Sequence, residues 1–135
     1  MKASVSWVPS ENGLGFNGKM DSGETLYLDG KGEGLSPMQA VLLSVGACSS
    51  VDVVEIMRKA RQGIESCHCE LSAERADEPP RVFTHIRAHY VVSGSNVHEK
   101  HLARAVALSS EKYCSVMLML NEKVDIKTSY EIRET

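Results

Sequence analysis

Residues 36–63 constrain this chain more than any other segment. Val41, Leu42, Leu43, Val45, Ala47, Val51, Val53, Val54 and Ile56 point in almost every direction on a helical wheel. A helix that is apolar all round has no face for water and is buried. Its start is written in Ser36-Pro37-Met38-Gln39: serine caps, proline suits the first helical position, and Gln39 reaches back to close a capping box. Polarity returns at Asp52, Glu55, Arg58, Lys59 and Arg61, and Gly63 is the expected stop. One thin sheet in one subunit could hardly cover every face of such a helix. The expectation is a homodimer whose interface buries Pro37 to Met57.

The flanking segments read as strands. Seven of the ten glycines fall between Gly13 and Gly34, a region of short strands joined by tight turns. Ala3, Val5 and Trp7 alternate with Lys2, Ser4 and Ser6, a half-buried strand ending near Pro9. Leu14 to Met20 and Thr25 to Asp29 form a hairpin across Asp21-Ser22-Gly23-Glu24. Residues 66–75 and 82–92 form a second hairpin across Glu78-Pro79-Pro80. Cys67, Cys69, Leu71 and Ala73 face inward from its first strand; Val82, Thr84, Ile86, Ala88, Tyr90 and Val92 do so from its second. A turn centred on Glu78-Pro79 sets Leu71 opposite Ile86 and Glu70 opposite Arg87. Asn96 with Glu99 caps a second helix running to Tyr113, with Leu102, Ala105, Val106, Ser109 and Tyr113 as its stripe. Cys114 falls at a break, Val116 to Leu120 is a short apolar turn, and Val124 to Arg133 alternates as a last strand. The order is α+β, and 135 residues predict one domain, 1–135.

Composition removes several function classes. Lys plus Arg number 15 against 18 Asp plus Glu, and no basic cluster offsets the balance, which argues against a phosphate-tracking nucleic-acid binder. The uncharged stretch Gly34 to Val51 is interrupted by Ser36, Pro37, Gln39, Ser44, Ser49 and Ser50, which argues against a membrane span. The opening MKASVSWVPS lacks a signal-peptide core, which places the protein in the cytoplasm. There, four cysteines are not a structural disulfide framework.

Two cysteines carry the candidate chemistry. Cys48 lies inside the apolar helix and reads either as an inert core residue or as a reactive thiol. Asp52, one turn on, opposes its ionisation unless paired elsewhere. Cys114, in Glu111-Lys112-Tyr113-Cys114-Ser115, reads as a packed side chain or as a thiol favoured by the amides of a short following helix. A metal reading of Cys67, Cys69, His68, His85 and His89 fails because strand alternation sends the cysteines to one face and the histidines to the other. His98 and His101 read as a solvated helix face. No metal or organic cofactor is expected, and no phosphate loop, dinucleotide fingerprint or nucleophile elbow occurs.

From Ser36 through Asp52, with Gly46-Ala47-Cys48-Ser49-Ser50 at its heart, the sequence resembles the OsmC/Ohr family of osmotically inducible and organic hydroperoxide resistance proteins. The match continues through Glu74-Arg75, Pro79 to Ile86, Ala105-Val106 and Ser109 to Val116, and is nearest the YhfA-like branch. The resemblance implies antiparallel sheets around a long buried central helix, in an intertwined homodimer with active sites at the subunit interface. It implies thiol-dependent reduction of organic hydroperoxides: Cys48 becomes a sulfenic acid, Cys114 resolves it as a disulfide, and a dithiol donor of the lipoyl type restores both.

Two departures from the family pattern stand out. Peroxidase members use an arginine from the N-terminal sheet, held by a glutamate early in the cysteine-bearing helix. Here the first arginine is Arg58, and the glutamate position falls at Gln39 or Met38. Lys19 or Lys31 could supply a point charge but no bidentate fork. Losing acid and base together is coherent, because an unpaired carboxylate is costly to bury. Two functions follow: a cysteine-based peroxidase of ordinary or reduced speed, or a protein of the same fold that binds a hydrophobic ligand or senses oxidants without turnover.

Overall fold

The computed structural model describes residues 1–9 and 13–135. The chain divides into two compact units, 1–41 and 42–135. In the first, β1 (Ala3–Val8), β2 (Gly15–Met20) and β3 (Thr25–Asp29) form an antiparallel sheet in that order. Trp7 pairs with Phe16 and Lys19 with Thr25, so the expected hairpin across Asp21 to Glu24 forms. Gly13, Gly23 and Gly32 take positive φ, all outside regular elements. β1 differs from expectation in burial: Val5 and Trp7 are 65% and 59% exposed. Alternation says which side chains share a face, not what covers it.

Helix α1 (Pro37–Lys59) starts as the sequence predicts. The Gln39 amide donates to Ser36 Oγ at 3.1 Å, and Gln39 Oε1 accepts from the Ser36 amide at 2.9 Å, a complete capping box. Its end differs. Arg61, not Gly63, takes the left-handed conformation (φ 58°), with the Gln62 amide bonded back to the Met57 carbonyl at 3.0 Å. The helix is not covered on every side of this chain. Val45, Val53 and Met57 are wholly buried, while Leu43, Ala47 and Val51 form an exposed stripe four residues apart. By length and apolarity α1 could cross a membrane, and it buries one side, Val45, Gly46, Ser49, Val53 and Met57, within this chain.

In the second unit, β4 (Ile64–Arg75), β5 (Phe83–Gly94) and β6 (Asp125–Glu134) form a sheet in that order. Its hairpin exists, and the predicted facing holds at Cys67 and Cys69, half-buried while His68 is exposed, but not at Ala73, which is exposed near the strand end. The register is different. Leu71 pairs with Ala88 and Glu70 with His89, and Arg87 turns instead to Asp125 at 3.6 Å. The loop closes through the Ala76 amide on the Val82 carbonyl, centring the turn on Pro79. Thr84 then lies as an extra residue between the Glu74–His85 and Arg75–Phe83 pairs. That bulge flips the phase, so Phe83 is buried while Val82 is exposed, the reverse of the expected facing.

β6 joins β5 in parallel, so the pairing in this sheet is mixed rather than wholly antiparallel. The crossover between them carries α2 (Glu99–Leu108), a π-helical turn (Ser109–Tyr113) and α3 (Ser115–Leu120), long enough for a parallel return. Asn96 does not cap α2. It adopts φ 59°, and His98 takes the cap position with its amide held by Gln62 Oε1 at 2.8 Å. The wider π turn also rotates Tyr113 off the buried stripe, leaving it half-exposed beside buried Leu102, Ala105, Val106 and Ser109.

Two close approaches set the packing in this unit. A Cβ at Gly46 would lie 2.6 Å from Leu71 Cδ1, the end of a flexible side chain; one at Gly94 would lie 2.4 Å from the Gly63 carbonyl oxygen. Overpacking costs about 1–3 kcal/mol, offset in Gly46→Ala by up to about 1 kcal/mol of helix propensity. Urea midpoints are therefore expected to fall from wild type to Gly46→Ala and furthest in Gly94→Ala, because backbone cannot step aside. Equal midpoints would contradict this packing.

Candidate functional site

Cys48 sits midway along α1 and is half-exposed. The buried side of the same turn is polar but fully satisfied. Tyr90 of β5 donates its hydroxyl to Ser49 Oγ at 2.5 Å, and Ser49 donates to the Val45 carbonyl at 2.7 Å. Burial raises the Tyr90 hydroxyl pKa far above its usual value, keeping it a neutral donor. From the π turn, Ser109 donates to Asp52 Oδ2 at 2.8 Å and lies 3.3 Å from the Ser49 carbonyl. Asp52, the carboxylate one turn beyond Cys48, thus has a partner.

Cys114 is wholly buried. The π turn closes with its amide on the Ser109 carbonyl at 2.7 Å, after which its backbone is extended (φ −73°, ψ 104°). Its Sγ accepts from the Met117 amide at 3.4 Å. Burial first, and then a hydrogen bond and charge interaction with Cys48, push the Cys114 thiol up to about 11, against the Met117 and Val116 amides, which lower it. Lys112, whose direction the sequence leaves open, places its ammonium 5.8 Å from the Tyr113 ring centroid.

The remaining candidates are placed elsewhere. Gln39 serves the α1 cap. Lys19 is exposed on β2, and Lys31 is exposed in the turn after β3, its amide on Asp29 Oδ1 at 2.8 Å. Cys67 and Cys69 share one face of β4; burial raises Cys67, and burial with its neighbour Cys67 raises Cys69 to about 11, Ser50 of α1 lowering both in part. Sequence reasoning missed the Tyr90–Ser49 bond, the π turn and Arg104. That arginine shares a groove of about 700 Å³ with Asp52, Ile56, Lys59 and Tyr113. Only the i, i+3, i+7 spacing of His101, Arg104 and Leu108 on the polar side of α2 signalled it.

The arrangement defines an α+β protein in which a half-exposed cysteine on a long helix interacts electrostatically with a second, buried cysteine. A family model described as OsmC-like protein matches residues 30–129, and the chain belongs to that family. It is 46% identical over 134 residues to Protein YhfA of Escherichia coli strain K12, covering 98% of each chain. A hypothetical protein from Aquifex aeolicus VF5 superposes with a TM-score of 0.86 at 33% identity, covering 100% of this chain and 98% of that one. The organic hydroperoxide resistance protein OhrB of Bacillus subtilis superposes with a TM-score of 0.61 at 18% identity, covering 97% and 98%. That last likeness speaks for the fold alone.

The raised thiols give a pH dependence with a definite sign. Below the usual thiol value of 9.0 Cys114 is protonated in folded and unfolded chains alike; between 9.0 and about 11 the unfolded chain releases a proton that the folded chain retains. Stability should therefore fall across that window, by about 2 kcal/mol from Cys114 at its upper end. Denaturation of reduced protein at stepped pH should show the decline, and Cys114→Ser should make it shallower, the share of Cys67 and Cys69 remaining. An unchanged slope in the variant would contradict the assignment.

Proposed function

We propose that the protein is a thiol peroxidase that reduces organic hydroperoxides, with Cys48 as the peroxidatic and Cys114 as the resolving cysteine. The observation that supports this reading is the wholly buried Cys114, whose thiol is raised chiefly by burial and further by its interaction with Cys48. A Cys48 thiolate attacks the peroxide, becoming a sulfenic acid; Cys114 displaces hydroxide from it as a disulfide forms. A small dithiol of the lipoyl type returns both to thiols. The working unit is a cytoplasmic homodimer, and the exposed Leu43, Ala47 and Val51 stripe is the surface such a dimer would bury. Without an arginine before Arg58 the thiolate lacks the family's bidentate partner, so turnover is slower than in members that have it.

The same missing arginine favours a second reading, a hydrophobic-ligand binder or oxidant sensor without turnover. Loss of cumene hydroperoxide with dihydrolipoate separates the two. Wild type should consume peroxide, Cys48→Ser should not, and Cys114→Ser should fall to a small fraction of wild type. A wild-type rate no greater than that of Cys48→Ser would leave only the second reading.

A further inference from the structure

Cys67 and Cys69 take no part in the peroxide chemistry proposed above. They flank exposed His68 on β4 and share the opposite face of that strand, each half-buried. The neighbouring strand fixes their places: Cys67 stands opposite Val92 and Cys69 opposite Tyr90, both buried. The same face is held against α1, where Leu71 packs on Gly46 and the Tyr90 hydroxyl is bonded to Ser49. Two thiols are thus mounted side by side on a fixed backbone, partly open to solvent.

Spacing decides what such a pair can do. Two residues of strand separate the Cβ atoms by about 6.6 Å. A disulfide needs Cβ atoms about 3.5–4.5 Å apart, so closing one here would buckle β4. A metal–sulfur bond is about 2.3 Å long, so a cation in line between two sulfurs holds them about 4.6 Å apart. Side chains that lean toward each other meet that requirement with the strand unmoved.

The ligand set then selects the cation. A structural zinc site needs four ligands, and alternation sends His68, His85 and His89 to the other face of the sheet. Among the described residues, no group of three or more His, Cys, Asp or Glu could hold a metal ion. Two sulfurs over an apolar floor suit a soft monovalent ion, for which thiolate is the preferred ligand. We propose that Cys67 and Cys69 form a two-coordinate site for Cu(I), independent of the peroxide reaction. Loading one ion displaces two thiol protons, changes no oxidation state, and leaves the S–Cu–S unit with one negative charge. Burial raises both thiols, and the neighbouring Cys67 adds to the rise of Cys69. A cation between them removes that repulsion of like charges.

The second Cu–S bond forms within one molecule, which strengthens binding about 10²–10⁴-fold over a single thiol. The test is anaerobic Cu(I) titration against bicinchoninate in a chain with Cys48→Ser and Cys114→Ser, so that only Cys67 and Cys69 remain. One Cu(I) per chain should bind, X-ray absorption should show two sulfur ligands, and Zn(II) should not displace it. Adding Cys67→Ser or Cys69→Ser should weaken binding by at least about 100-fold. Single-thiol chains that hold Cu(I) as tightly as the pair would overturn the proposal. A second measurement needs no substitution. One equivalent of Cu(I) should shield Cys67 and Cys69 together from iodoacetamide in the wild type while Cys48 is still labelled. Shielding of Cys48 in their place, or of neither strand cysteine, would overturn the proposal and leave the peroxidase reading untouched.

Discussion

The hydroxyl that Tyr90 donates to Ser49 fixes the turn of α1 that carries Cys48, and much of the second unit depends on it. Both residues are essentially inaccessible to water, and leaving either polar group unpaired there would cost about 1–3 kcal/mol. The rotation of α1 about its axis is thereby set against β5. Ser109 makes the matching contact from the crossover, reaching both the Ser49 carbonyl and the Asp52 carboxylate. Five residues later the chain arrives at Cys114. The meeting of the two thiols is thus a consequence of a hydroxyl network that anchors helix, sheet and π turn to one another.

The π turn is what allows the second thiol to arrive. A regular α-helix would have carried the stripe from Ser109 through Tyr113 along one face. The extra residue in the turn sends Tyr113 outward, and the extended backbone after it delivers Cys114 to the interior. π turns recur at functional sites because they re-aim side chains at the cost of a weaker hydrogen-bond pattern.

Much of this was legible in the sequence where one local signal decided the outcome. Ser36, Pro37 and Gln39 specify the α1 start through side-chain chemistry contained within four residues, and the alternation of Cys67, His68 and Cys69 specifies the β4 facing. The Ser36–Asp52 segment and the Cys48–Cys114 pair pointed to the family and to the candidate site. What was not legible depends on tertiary context. Thr84 is unremarkable as a sequence position, yet its insertion shifts the hairpin register. Arg61 ends α1 in a conformation for which Gly63 is the better local candidate. Nothing in Ser49 or Ser109 alone marks them as partners of Tyr90 and Asp52. The parallel entry of β6 likewise follows from where the crossover packs, not from its own alternation.

The central claim is that Cys48 and Cys114 are one redox couple. Reduced protein treated with one equivalent of organic hydroperoxide, digested under non-reducing conditions and mapped by mass spectrometry, tests it most directly. The account predicts a single cross-linked species joining the Cys48 and Cys114 peptides, lighter by two hydrogen atoms than the free pair, with Cys67 and Cys69 still thiols. A Cys48 that stays reduced, or that bonds to Cys67 or Cys69 instead, would contradict it.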